Sequence, residues 1–145
     1  MKKRVSIGAL GIIKKDNKFL MALRYSPEYP EVHHKWEFPG GEIEFEETPE
    51  ECVVREVKEE VGVNVEILQV IPYVIHTLWP KDKAKIILIP YLCRLKEGEP
   101  FAANANGERE VEKVAWMSID EIEPSMCLPG TKEVLESVLK LDNNA

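Results

Sequence analysis

One segment limits the possible folds more than any other: residues 48–61 carry both ends of a helix in their own sequence. Thr48 is a good N-cap, Pro49 suits the first helical position, and Glu51 stands three residues after the cap, as a capping box requires. Gly62 then ends the helix, in the left-handed conformation that glycine adopts readily. At roughly 100° per residue, Val53, Val54, Val57 and Val61 fill an apolar sector. Glu56, Glu59 and Glu60 fall within about 100° of one another beside it. One helix therefore shows an apolar stripe to a core and a carboxylate stripe at its edge. Like charges at these spacings destabilise a helix by a few tenths of a kcal/mol each. Acids in the last turn also oppose the helix dipole. On an arbitrary helix such a stripe is only a solvated face; here divalent cations would remove a cost that the sequence tolerates on two counts.

The rest of the chain reads as strands and loops around this helix. Residues 5–13 and 19–24 are apolar runs separated by Lys14-Lys15-Asp16-Asn17-Lys18, a hairpin pattern. Residues 25–35 form a loop, and Trp36-Glu37-Phe38 is a short extended piece stopped by Pro39-Gly40-Gly41. Residues 65–78 and 86–95 read as two longer strands around a turn at Pro80-Lys81-Asp82-Lys83. A polar loop over 97–109 leads to a strand over 111–117, a short helical turn over 118–122 and a final amphipathic helix over 131–141. Asn143-Asn144-Ala145 is expected to fray. No repeat, linker or low-complexity segment is evident, so one α+β domain over residues 1–145 is expected.

Composition narrows the partners. A formal net charge of -7 disfavours non-specific binding to nucleic acid or to membranes. It also means that a polyanionic substrate needs cations between itself and the protein. Cys52, Cys93 and Cys127 are odd in number and form no CxxC or Cys/His cluster, which argues against disulfides and zinc and for reduced residues in the cytoplasm. Lys2, Lys3 and Arg4 before the first apolar run imitate a signal peptide, but the run passes into Lys14-Lys15 without a small-residue cleavage site. No apolar run is long enough to span a membrane.

Chemistry concentrates around the acidic helix. Immediately upstream lies Phe38-Pro39-Gly40-Gly41-Glu42, a tight turn that brings backbone close to a ligand. Arg55 sits among the acids and can brace a carboxylate through two parallel hydrogen bonds. Clustered hard oxygen ligands suit magnesium or manganese. From Gly41 to Val63 the sequence is GEIEFEETPEECVVREVKEEVGV, which resembles the Nudix box. Gly41, Glu47, Arg55, Glu56, Val57, Glu59, Glu60, Gly62 and Val63 occupy each of its defined positions. A weaker likeness along most of the chain is closest to the MutT branch.

The resemblance implies a mixed β-sheet sandwiched between helices and a Mg2+-dependent hydrolase, with Mn2+ as substitute, acting on a nucleoside triphosphate to give a monophosphate and pyrophosphate. It implies that Glu56, Glu59 and Glu60 bind metal or activate water and that the Gly40 carbonyl is a further ligand. Arg55 would brace the glutamates, and Glu47 would support them. One more acid is expected before the Trp116 strand, Glu110 by spacing, with Glu108 and Glu112 as competitors. Arg24, Gly41, Phe38 and Thr131 are the expected substrate contacts. Tyr25, Tyr29, Trp36, Tyr73 and Trp79 can stack on a base but also suit a core, and His33, His34 and His76 show no metal-ligand pattern. Two departures bear on the base. Thr131 stands where the branch that reads oxidised guanine has an asparagine, and Glu42 stands where it has a lysine. Competing substrates are a pyrimidine triphosphate, ADP-ribose, a dinucleoside polyphosphate or a capped RNA end. A nucleotide-sensing module without turnover is the alternative of another class. A monomer or homodimer is expected, with no DNA-binding or membrane segment.

Overall fold

The structure is a computed structural model that describes residues 3–79 and 84–143. Among the described residues, eight strands form one mixed sheet flanked by two α-helices. The first hairpin joins β1 (Arg4–Lys15) to β2 (Lys18–Arg24). Its two-residue turn, Asp16-Asn17, has positive φ at both positions (51° and 63°), the twist that suits a right-handed strand pair. β3 (Trp36–Glu37) pairs antiparallel with β2, and β4 (Gly40–Glu42) pairs antiparallel with β1. After α1 (Pro49–Val61) come β5 (Asn64–Val70), β6 (Ile75–Trp79), β7 (Ala84–Glu97), β8 (Val111–Ser118) and α2 (Thr131–Asn143). β1 runs parallel to β7, which pairs antiparallel with β5 and β6; β8 pairs antiparallel with β2.

Period-two alternation decides which helix each side chain meets. On β1 and β2, Ala9, Ile13, Leu20 and Ala22 face one core with Val53, Val57 and Val61 of α1. Leu10, Ile12, Phe19 and Met21 face the other core with Val134, Leu135 and Val138 of α2. A sheet buried on both faces needs unbroken apolar runs, and these two strands carry them. Cys52, Cys93 and Cys127 are free and buried, with burial pushing each thiol above its usual range.

Three expectations change. Residues 65–78 are two strands, not one. Pro72 has no N–H, and the Tyr73 N–H turns back to the Ile71 carbonyl at 2.7 Å, so the chain bends between them. Gly40–Glu42 is a strand as well as a turn, because the Gly40 and Gly41 backbones lie flat against Leu10 and Ala9. The polar loop over 97–109 is not idle. Its Phe101, Ala103 and Ala105 N–H groups donate to the carbonyls of Val61, Glu60 and Glu59 at 3.1, 2.9 and 2.8 Å. It thereby caps the helix end that the acids would otherwise burden. The expected turn at Pro80-Lys81-Asp82-Lys83 and residues 144–145 lie outside the described residues. No helix among the described residues is long and apolar enough to cross a membrane.

Candidate active site

The helix ends are as the sequence requires. Thr48 Oγ1 accepts from the Glu51 N–H at 3.1 Å while Glu51 accepts from the Thr48 N–H at 2.8 Å. Gly62 has φ 75°, and its N–H reaches the Lys58 carbonyl. These caps fix where α1 begins and ends, and so where its carboxylates point.

Arg55 is the hub. Its Nε and Nη2 grip both oxygens of Glu47 at 3.0 and 2.7 Å. Nη1 donates to Glu56 at 2.7 Å and to Glu59 at 3.2 Å, and Nη2 reaches the Glu42 carbonyl at 3.2 Å. The pairing with Arg55 drives the Glu47 carboxyl down to about 2, and the Glu44 N–H adds to this at 2.9 Å. Glu47 thus braces Arg55, and Arg55 holds the near oxygens of Glu56 and Glu59. Gly41 sits directly against Glu56: a Cβ there would lie 2.6 Å from the carboxyl carbon.

Glu60 has a different environment. It is 8% exposed and accepts one hydrogen bond from the Gly40 N–H at 3.2 Å. Burial first, then the charges of Glu37, Glu56 and Glu110, raise its carboxyl well above the usual range. Glu110, at the mouth of β8, is also raised by burial and then by Glu56. Asn104 places it: the Asn104 side chain accepts from the N–H groups of Glu110 and Val111 and donates to the Val111 carbonyl. Of the competitors, Glu112 is engaged elsewhere by His34 at 3.1 Å and Arg109 at 3.6 Å. Glu108 is exposed.

A cleft of about 640 Å³ opens beside the Gly40-Gly41 turn. Arg24, Phe38, Gly40, Gly41 and Thr131 all line it. Phe38 is 4% exposed and belongs to the core as much as to the cleft wall. Thr131 begins α2, and its hydroxyl donates to the Leu128 carbonyl at 2.9 Å, which leaves only lone pairs for a ligand. Tyr29 and Trp79 meet edge to face at 5.3 Å on the cleft wall, whereas Tyr25 packs on His33.

Two residues in the site escaped the sequence reading. Glu37 lines the cleft, binds Arg24 at 3.0 Å and is raised chiefly by burial. Its signal was an acid flanked by Trp36 and Phe38, where strand alternation turns it away from its neighbours. Asn104 gave no signal beyond a polar turn.

The donor set fits a hard divalent cation: acidic side chains and a backbone carbonyl, with a buried carboxylate that has no cationic hydrogen-bond partner among the described residues. As the side chains stand, no three acidic, histidine or cysteine groups among the described residues enclose an ion. Arg55 holds two of the glutamates.

Comparison with known proteins agrees with this arrangement. The NUDIX domain family model matches residues 2–138. The chain is 30% identical over 133 residues to an 8-oxo-dGTP diphosphatase from Escherichia coli (strain K12), covering 92% of this chain and 95% of that protein. It is 28% identical over 121 residues to a MutT-like protein from Streptomyces ambofaciens, covering 83% of this chain and 69% of that one. The fold matches the crystal structure of a MutT NUDIX hydrolase from Burkholderia pseudomallei with a TM-score of 0.77 at 25% identity, over 92% of this chain and 98% of that one. With the box complete, its arginine hub formed and the family pattern spanning nearly the whole sequence, the chain belongs to the Nudix hydrolase family.

Proposed function

We infer that this enzyme hydrolyses a diphosphate linkage within a nucleoside triphosphate, releasing a nucleoside monophosphate and pyrophosphate, as one domain over residues 1–145. The observation that carries the reading is the Arg55 hub, which aligns Glu56 and Glu59 beside buried Glu60; Gly40 and Gly41, which touch Glu60 and Glu56, line a cleft of nucleotide size. The Gly40 carbonyl, Glu56, Glu59, Glu60 and Glu110 would hold magnesium, with manganese as substitute. A divalent ion held there would supply neutralisation of phosphate charge and a more acidic water. The chain's own residues do the rest. Glu47 and Arg55 keep the carboxylates oriented, and one glutamate takes the proton from the attacking water. Arg24 meets phosphate oxygens, and the cleft walls around Phe38 and Thr131 receive the base. Attack in line at phosphorus is then a matter of positioning and charge.

The Escherichia coli relative is named for 8-oxo-dGTP. For this chain the expected base selectivity is modest, because Thr131 offers acceptors only and its hydrogen is committed to Leu128. The testing experiment is a panel of nucleotides with magnesium, scored separately for pyrophosphate and orthophosphate. Pyrophosphate release that stops in chelator and returns with magnesium or manganese is the expected outcome. Full turnover in chelator, or orthophosphate as the sole inorganic product, would sink the reading.

A further inference from the structure

Glu37 is a carboxylate placed where a carboxylate is costly. Its side chain is only 15% exposed, and Glu60 and Glu110 lie within electrostatic reach. A neutral amide of the same shape would avoid that repulsion. What the charge does there is visible in one contact. Ala22 on β2 faces Glu37 on β3, so Arg24, two residues on, emerges on the same side of the sheet. Arg24 Nη1 donates to both Glu37 oxygens, at 3.0 and 3.4 Å.

The pairing uses one nitrogen only. The Arg24 Nε is buried and has no hydrogen-bond partner among the described residues. The guanidinium also lies 5.4 Å from the Trp79 ring centroid, and Arg24, Glu37 and Trp79 all line the cleft. The Arg24 backbone is pinned as well: its N–H donates to the Lys35 carbonyl and its carbonyl accepts from His34, both at 2.9 Å. A long cation in this position has a competing home, because its charge already acts on Glu110.

We propose that Glu37 is a positioning residue: it holds Arg24 against Trp79 and away from the acidic cluster, so that the terminal guanidinium N–H groups Glu37 does not use donate to a substrate phosphate oxygen. This rests on the nucleoside triphosphate reading above. Arg24 without Glu37 turns towards Glu110, and substrate binding weakens while the glutamates still work.

A double-mutant cycle tests it, using whichever of 8-oxo-dGTP, dGTP, dCTP and dATP is turned over fastest with magnesium. Glu37→Gln is expected to raise KM about tenfold with kcat changed far less, the loss of one charged hydrogen bond. Arg24→Lys is expected to raise KM similarly, and adding Glu37→Gln to it should cost nothing more, since Glu37 acts through Arg24. Effects that multiply, or a loss confined to kcat, would place Glu37 in the acidic cluster and overturn the proposal. Should Glu37→Gln fail to fold, Glu37→Asp, which keeps the charge on a shorter arm, enters the same cycle with the same non-additivity expected. If wild-type protein turns over none of the four, the triphosphate reading falls and the proposal with it; turnover with multiplying effects removes the proposal alone.

Discussion

Replacing Glu60 by glutamine is expected to stabilise the metal-free protein while abolishing turnover. In the metal-free state the Glu60 carboxylate is nearly sealed from water, has one hydrogen bond at 3.2 Å and faces Glu37, Glu56 and Glu110. Glutamine keeps the shape and the acceptor oxygen and removes the charge. Relief of a buried, poorly partnered charge is worth about 1–3 kcal/mol at pH 8, or roughly 3–10 °C in Tm for a chain of this size. The sign with pH follows from linkage. The folded carboxyl keeps its proton above the usual 4.5 at which the unfolded one ionises. Wild-type stability therefore falls as pH rises from 4.5 through the raised folded value. The advantage of Glu60→Gln should be near zero at pH 4 and grow to its full size at pH 8. Glu59→Gln provides the contrast: this side chain is 31% exposed and accepts from Arg55 at 3.2 Å, so its loss should shift stability by no more than about 0.5 kcal/mol. Thermal melts in chelator at several pH values, with kcat measured in magnesium, make the assay. A Glu60→Gln variant that melts below wild type at pH 8, or a gap independent of pH, would refute the reasoning.

Four further outcomes are expected. Arg55→Lys replaces a fork with a point charge and should lower kcat by about tenfold or more, measured at saturating nucleotide, with a lower Tm; unchanged kcat would remove Arg55 as the hub. Gly41→Ala places a Cβ 2.6 Å from the Glu56 carboxyl carbon, so activity should fall by about two orders of magnitude while the apo melt changes little. Glu47→Gln should melt below wild type at neutral pH; because the folded carboxyl is held down at about 2, stability present above 4.5 is lost towards pH 2, and the gap should close across that range in acid titration. Values of kcat/KM for 8-oxo-dGTP against dGTP, dCTP and dATP should differ by less than about 200-fold, and a preference of several orders of magnitude would mean that another group reads the base.

Local chemistry determined much of this protein before any tertiary contact is considered. Thr48, Glu51 and Gly62 bound their helix through contacts within a few residues, so its limits and the carboxylate stripe could be read directly. The Asp16-Asn17 turn and the alternating runs on either side of it define the first hairpin for the same reason. The Arg55 hub was legible in part, since Glu56 and Glu59 lie within one turn of it; its grip on Glu47 reaches eight residues back, across the turn into α1. Only the folded chain decided the rest. The break at Pro72 depends on which stretches of β7 remain to be paired, and the capping of α1 by residues 101–105 joins segments 40 to 46 positions apart. Glu37 and Arg24 meet because β3 and β2 pair in one register out of many, and sequence spacing is silent about registers between strands separated by a long loop. The cleft is likewise a product of packing: its walls come from β1, β3, β6, β7 and the approach to α2, and no short segment contains it.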